Sequence, residues 1–291
     1  MLALRKFAVS LTNDWWKRPL LFLLLFYLIR QSSFFLLSLT CIPAPVIIAL
    51  IILLSAIIPS LLIESLRPNS KSYYIGFFYD IFIRRNLFLI TIILFLTFLF
   101  LCILLLISEA MPKINSSFDT IAVIVLTIQI FIIAFYEEII FRGIIFQSLI
   151  EKFGEILPTF LLSLVFTLFH LHNPAINLLA LINLFLASIL FSIIFLQTRS
   201  LLIVILYHFL WNFFQVLILH WNVSGIHYSL SIFIFPDNAL PYFLNGGQFG
   251  LEATPVLTII LLIHVYFFTK YLKKSPFVSS LLLKREYLKP E

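Results

Sequence analysis

Eight apolar runs, each near the length of a bilayer crossing, follow one another along this chain and constrain its fold more than any other feature. A hydrocarbon core of ~30 Å needs about 20 apolar residues of helix. The runs at 18–40, 43–64, 86–108, 119–147, 157–173, 176–197, 201–220 and 254–273 meet that need or approach it. The fold expected is therefore all-α, a polytopic membrane bundle of about eight transmembrane helices. Composition supports this: 62% of the residues are hydrophobic and 11% charged, whereas a soluble domain carries about 25% charged residues. The first run is interrupted by Arg30-Gln31-Ser32-Ser33 and reads as a shorter span or a re-entrant piece. No cleavable signal peptide is expected, because the run from Leu20 lacks a small-residue cleavage site and leads straight into another span.

The placement of charge orients the bundle. The net charge is +6, but the basic residues flank the spans instead of forming a patch, which argues against a nucleic-acid partner. Arg5, Lys6, Lys17 and Arg18 precede the first run, and Arg67, Lys71, Arg84 and Arg85 follow the second. Lys152, Arg199 and the tail residues Lys270, Lys273, Lys274, Lys284, Arg285 and Lys289 fall on the same side of an eight-span chain. Lys113 stands opposite, and 220–253 holds no Lys or Arg. The positive-inside rule then puts both termini in the cytoplasm of a multi-pass protein, read here as one of a bacterial cytoplasmic membrane.

No long linker or soluble domain appears. The chain is read as an N-terminal transmembrane region of about three spans (1–118), a membrane core (119–273) and a basic cytoplasmic tail (274–291). Asn173-Pro174 and Thr254-Pro255 read as helix starts, a capping side chain followed by proline at the first position. Ser188 and Ser192 give the sixth span a face of small residues for close helix approach. Cys41 and Cys102 lie far apart in apolar segments and are expected to pack as small hydrophobes.

Against this background the polar residues at membrane depth stand out. A charge near a bilayer centre costs roughly 2.5–3.5 kcal/mol on insertion scales, yet Glu137, Glu138 and Arg142 occur together in the fourth run. His170 interrupts the fifth, and His208 with Asn212 the seventh. At ~1.5 Å per residue, Glu137, His170, His208 and Asn212 reach similar depths and can converge in one cavity. Glu138 and Arg142 are i and i+4 and read as a buried ion pair. His172, His220 and His227 are expected in solvated positions near helix ends or the outer face, and His264 in a structural one.

The three clusters resemble the signature of the CPBP intramembrane proteases, which include CAAX-processing and bacteriocin-processing proteins. That pattern, Glu-Glu-xxx-Arg, Phe-xxx-His and His-xxx-Asn on successive helices, is met by Glu137-Glu138-xxx-Arg142, Phe166-xxx-His170 and His208-xxx-Asn212. The likeness covers about 119–273 and extends to the glycine-rich stretch Asn245–Glu252. Two departures occur: Ser188 and Ser192 replace a Gly-xxx-Gly, and Thr198-Arg199-Ser200 replaces a Thr-Gly-Ser.

The resemblance implies an intramembrane endopeptidase acting on a membrane-anchored or lipidated substrate within lipid. Glu137 with His170 would hold and activate the attacking water, His208 and Asn212 would stabilise the oxyanion, and Glu138 with Arg142 would support Glu137. No cofactor is required by that scheme. As an alternative, Glu137, His170 and His208 could supply a zinc site with an open position, though no Cys ligand and no His-Glu-xx-His pattern accompanies them. Two rivals from other classes are a proton-coupled transporter, in which membrane Glu and His form a relay, and a non-catalytic immunity or binding protein.

Overall fold

The computed structural model describes residues 10, 12, 14–38, 45–66, 81–107, 113–115, 119–228, 230–234 and 242–274. Arg5, Lys6, Cys41, Arg67, Lys71 and almost all of the basic tail lie outside the described residues. The helices are α1 (Lys17–Ser38), α2 (Pro45–Leu66), α3 (Ile81–Ile107), α4 (Thr120–Arg142), α5 (Ile144–Phe153), α6 (Ile156–Phe169), α7 (Leu178–Thr198), α8 (Leu201–Phe213), the short α9 (Tyr242–Asn245) and α10 (Pro255–Tyr271). A π-helical turn, Phe214–Ile218, extends α8, and a 3-10 turn, Leu251–Ala253, precedes α10. β1 (Lys113–Ile114) pairs antiparallel with β2 (Phe233–Ile234), Lys113 opposite Ile234.

The protein is an all-α, multi-pass integral membrane protein. Among the described residues, six helical stretches are long and apolar enough to cross a bilayer: α1, α2, α3, α4 running into α5, α7, and α8 with its π turn. The shorter apolar helices α6 and α10 fall where the fifth and eighth runs were expected. Their 14 and 17 residues span ~21 and ~26 Å. Leu20, Leu23, Leu24, Tyr27 and Leu28 of α1 all stand exposed, a surface that water would penalise and acyl chains accommodate.

Several expected boundaries need correction. α1 runs unbroken through Arg30–Ser33, with the Arg30 guanidinium 5.3 Å from the Phe34 ring centre. The fourth run breaks at Gly143, where a Cβ would strike the Ile139 carbonyl oxygen. α6 stops at Phe169, so His170 lies in the turn beyond the helix and not within it. Asn173 does not cap the next helix; Asn177 does, accepting from the Ala180 N–H at 2.9 Å. The second start signal holds as read: Thr254 accepts from Leu257 N–H at 3.1 Å, and Pro255 opens α10.

The chain packs as two compact units. The first comprises Met1–Phe78, Thr127–Leu162 and Ser200–Leu206. In it α1 packs on α2 and α5 through Phe22, Ile63 and Ile144, flanked by Leu21, Phe26, Ile140 and Ile145. Buried Arg18 of α1 grips Glu151 of α5 with both terminal nitrogens, one bond measuring 2.9 Å. Such fork-on-fork contacts fix orientation as well as adding energy. Trp15 meets Phe153 edge-on, ring centres 4.9 Å apart.

The second unit comprises Tyr79–Leu126, Ser163–Arg199 and Tyr207–Glu291, and its main pairing sets α7 against α10. Ser188 and Ser192 are both buried on α7, as their small-residue spacing suggested. Asn183 locks the start of α10: its Nδ2 donates to the Glu252 and Thr254 carbonyls, both at 2.9 Å, and its Oδ1 accepts from the Thr258 hydroxyl at 2.7 Å. Asn86 of α3 exchanges two bonds with the Lys273 backbone, at 2.8 and 3.1 Å.

His264 joins three helices in this unit. Thr97 Oγ1 donates to the Ile93 carbonyl at 2.8 Å, so it accepts from His264 Nε2–H, also at 2.8 Å. Nδ1 therefore carries the lone pair and accepts from the Tyr207 hydroxyl at 2.7 Å. Replacing one member strands a buried polar group at about 1–3 kcal/mol, while removing both partners together can be nearly neutral. His264→Leu is thus expected to lower the thermal unfolding midpoint in detergent, and adding Tyr207→Phe to recover much of the loss. A double variant as unstable as the sum of the two singles would refute this bonding scheme.

Candidate active site

The expected site residues divide between the two units. Glu137, Glu138 and Arg142 belong to the first, and His170, His208 and Asn212 to the second.

On α4 the i, i+4 spacing works as expected. Glu138 and Arg142 are 0% and 1% exposed, and Arg142 Nη1 lies 3.3 Å from Glu138 Oε1 and 3.2 Å from Oε2. Glu137, one residue off that face, is half-buried and lies within the electrostatic reach of the same guanidinium. The Gln147 amide donates to the Arg142 carbonyl at 3.4 Å, tying the helix end to α5 across the Gly143 break. α4 thus presents a half-buried carboxylate beside a neutralised buried pair.

In the second unit the Phe-xxx-His spacing acquires a structural reason. The chain tightens where α6 ends, with His170 N–H reaching Thr167 O at 3.1 Å. The His170 ring turns back onto Phe166, Nδ1 lying 2.7 Å from the Phe166 carbonyl oxygen and the ring centres 4.6 Å apart. A carbonyl only accepts, so Nδ1 carries the proton and Nε2 of the neutral ring keeps a lone pair for a further partner. His208 and Asn212 are buried one turn apart on α8, and Phe191 of α7 stacks on the His208 ring at 4.8 Å.

Glu252 is a further candidate that the motifs do not point to. It is 8% exposed, and its Oε2 accepts from the Ser224 N–H at 2.8 Å and the Ser224 hydroxyl at 2.7 Å. Burial pushes its carboxyl above the ordinary range, while the Ser224 bonds and the nearby imidazoles of His170 and His208 pull it back down. This one carboxylate therefore interacts with both candidate histidines. Asn173, three residues past His170, donates to the Ser224 carbonyl at 2.9 Å, and a Cβ on Gly225 (φ +78°) would strike the Pro174 carbonyl oxygen. The turn bearing His170 and the loop holding Glu252 are thus stitched together. The only sequence signal for Glu252 was its place in the glycine-rich stretch before the Thr254 cap.

Of the other histidines, His172 and His227 are exposed, and His227 Nδ1 lies 3.0 Å from Asn222 Oδ1. His220 is half-buried in a left-handed conformation. Arg199, at the departure from Thr-Gly-Ser, is left-handed too (φ 52°) and closes α7, its N–H on Phe195 O at 2.6 Å. Glycine adopts that conformation without strain, which accounts for the residue type usual there in the family the motifs resemble.

Among the described residues, no group of three His, Cys, Asp or Glu side chains is arranged to hold a metal ion.

Residues 119–214 match the model of a family described as type II CAAX prenyl endopeptidase Rce1-like. The matched segment contains all three motifs, which bears out the resemblance read from them. No curated protein matches the chain.

Proposed function

We propose, proceeding from the Rce1-like match over residues 119–214, that the protein is an intramembrane endopeptidase cutting a membrane-anchored or lipidated peptide with a glutamate-activated water. The observation that carries this reading is the presence of all three motifs, with Glu137, His170, His208 and Asn212 intact, inside the matched segment.

Peptide hydrolysis needs a base for water and donors for the developing oxyanion. Glu137 is the candidate base, an anionic acceptor that Arg142 and Glu138 keep in register. His170 is suited to hold the water, since its Nδ1 is committed to the Phe166 carbonyl and its Nε2 can accept a hydrogen bond. His208 and Asn212 present donors from one helix face, the arrangement an oxyanion requires. Glu252 stabilises positive charge on either histidine as protons move.

The test is cleavage of a farnesylated, dye-labelled peptide by purified protein in liposomes, with and without a chelator. Cleavage that resists chelation supports the metal-free scheme. Activity lost to the chelator and restored by zinc would replace it with a metal-bound water. No cleavage, together with proton flux across the liposome, would favour the transporter, and peptide binding without turnover the immunity or binding protein. The proposed orientation is tested separately. Reporter fusions within 220–253 should report the side opposite both termini, and a cytoplasmic signal there would refute it.

A further inference from the structure

Gln215 holds a buried carboxamide with nothing to bond among the described residues. The residue is 0% exposed, and neither its Nε2 nor its Oε1 has a hydrogen-bond partner there. Asn183, also a deeply buried carboxamide of this unit, uses both its nitrogen and its oxygen. Buried polar side chains are overwhelmingly satisfied, and exceptions call for a reason.

Position supplies one. Gln215 follows His208 by seven residues and Asn212 by three, one to two turns further along the same helical segment. It lies in the π turn Phe214–Ile218, closed by Leu219 N–H on Phe214 O at 3.0 Å; such wide turns are frequent at functional sites. The turn's backbone is well bonded: Trp221 N–H reaches Gln215 O at 2.9 Å, and Ile232 N–H reaches Leu217 O at 2.8 Å. The orphan side chain is thus held on a firm backbone frame that continues the helix bearing the candidate oxyanion donors.

The chemistry of the proposed reaction says what would fill it. A peptide must be extended to be cut, and an extended main chain in lipid carries N–H and C=O groups that need partners. In a strand, the N–H and C=O of one residue point to the same side. A carboxamide offers one donor and one acceptor side by side, so it can take both.

We propose that Gln215 binds the main chain of the unwound substrate next to the scissile bond, Nε2 donating to a carbonyl and Oε1 accepting from the N–H of the same residue. This rests on the peptidase reading and deepens it. Such a contact reads backbone and not side chain, so it favours extended peptide of any sequence over helix, whose groups are already paired.

The experiment is a cycle of Gln215→Met against backbone edits in the probe. The probe is a dye-labelled farnesylated peptide in phosphatidylcholine liposomes. It is compared with analogues in which each amide flanking the scissile bond becomes an ester in turn, removing one N–H. Equilibrium binding is measured in a Glu137→Gln background, so that no peptide is consumed. Gln215→Met is expected to weaken binding about tenfold to a hundredfold, the range of one to two decades lost with a buried hydrogen-bond partner. Its unfolding midpoint should be unchanged or higher, because an unsatisfied amide has been removed.

One ester analogue should bind the protein that retains Gln215 more weakly by a similar factor. The Gln215→Met variant should bind that analogue as well as it binds the parent peptide, so that the two losses do not add. Equal binding of the parent peptide by Gln215→Met overturns the proposal. So do strictly additive losses at every ester position, a loss of stability in parallel with binding, and a probe that fails to bind the unaltered site. Coupled binding without cleavage by the wild-type chain would leave this contact standing and remove the peptidase.

Discussion

Glu137→Gln is expected to abolish cleavage while the fold survives. Glutamine keeps the shape and the hydrogen-bonding capacity of the side chain but cannot take the proton of water. Loss of a general base costs roughly 10²–10⁴ in rate. Because Glu137 is half-buried and Arg142 is hydrogen-bonded to Glu138, neutralising position 137 leaves the buried pair intact and the unfolding midpoint nearly unchanged. His208→Ala and Asn212→Ala should be milder, each losing one oxyanion donor at about 10²–10³. The order of the three rates, taken from the liposome cleavage assay, is the decisive quantity. Undiminished turnover by Glu137→Gln would end the mechanism.

Arg142→Ala is expected to act first on the protein and only then on the chemistry. It leaves Glu138, 0% exposed, as an uncompensated charge in a low-dielectric interior. Breaking a buried pair from one side costs about 3–5 kcal/mol, a large share of the ~5–15 kcal/mol that holds a typical domain. Membrane-inserted protein should fall several-fold, and what remains should melt early. Adding Glu138→Gln removes the stranded charge and should restore much of the abundance but not full activity, since Glu137 would still lack its cationic neighbour. Wild-type levels and rates in the single variant would mean that the pair is idle.

The apolar runs made the helical architecture legible, because crossing a bilayer imposes a length that few other constraints produce. The Glu138–Arg142 pair was legible for a similar reason: i, i+4 spacing on a helix is a distance in disguise. What could not be read locally depends on long-range bonding. Asn173 reads as the cap, but the chain turns through Ala175 (φ 58°) and the helix starts only at Leu178, next to Asn177, while Asn173 donates to the Ser224 carbonyl fifty-one residues on. The break at Gly143 lies in a single backbone angle, ψ −130°, invisible in hydropathy. Glu252 escaped because its partners, Ser224, His170 and His208, lie in other segments of the chain, and no periodicity links them. Gln215 escaped because a lone glutamine in an apolar run carries no motif, and its lack of partners among the described residues is visible only once those neighbours are placed. His264, by contrast, was expected to be structural, and its two hydroxyl partners give that expectation a bonding scheme.

The grip of Arg18 on Glu151, with Phe22 seated on Ile63 and Ile144, bears on how portable the matched segment is. Residues 119–214, cut out alone, would carry α5 without its bond to Arg18 and with the side that meets Phe22 bare. The first two helices are therefore not an accessory that can be trimmed to make a minimal enzyme, but the surface on which part of the matched segment is moulded. Transplanting the motif-bearing helices into another membrane scaffold would need a substitute for that surface, whatever substrate the transplanted residues were meant to cut.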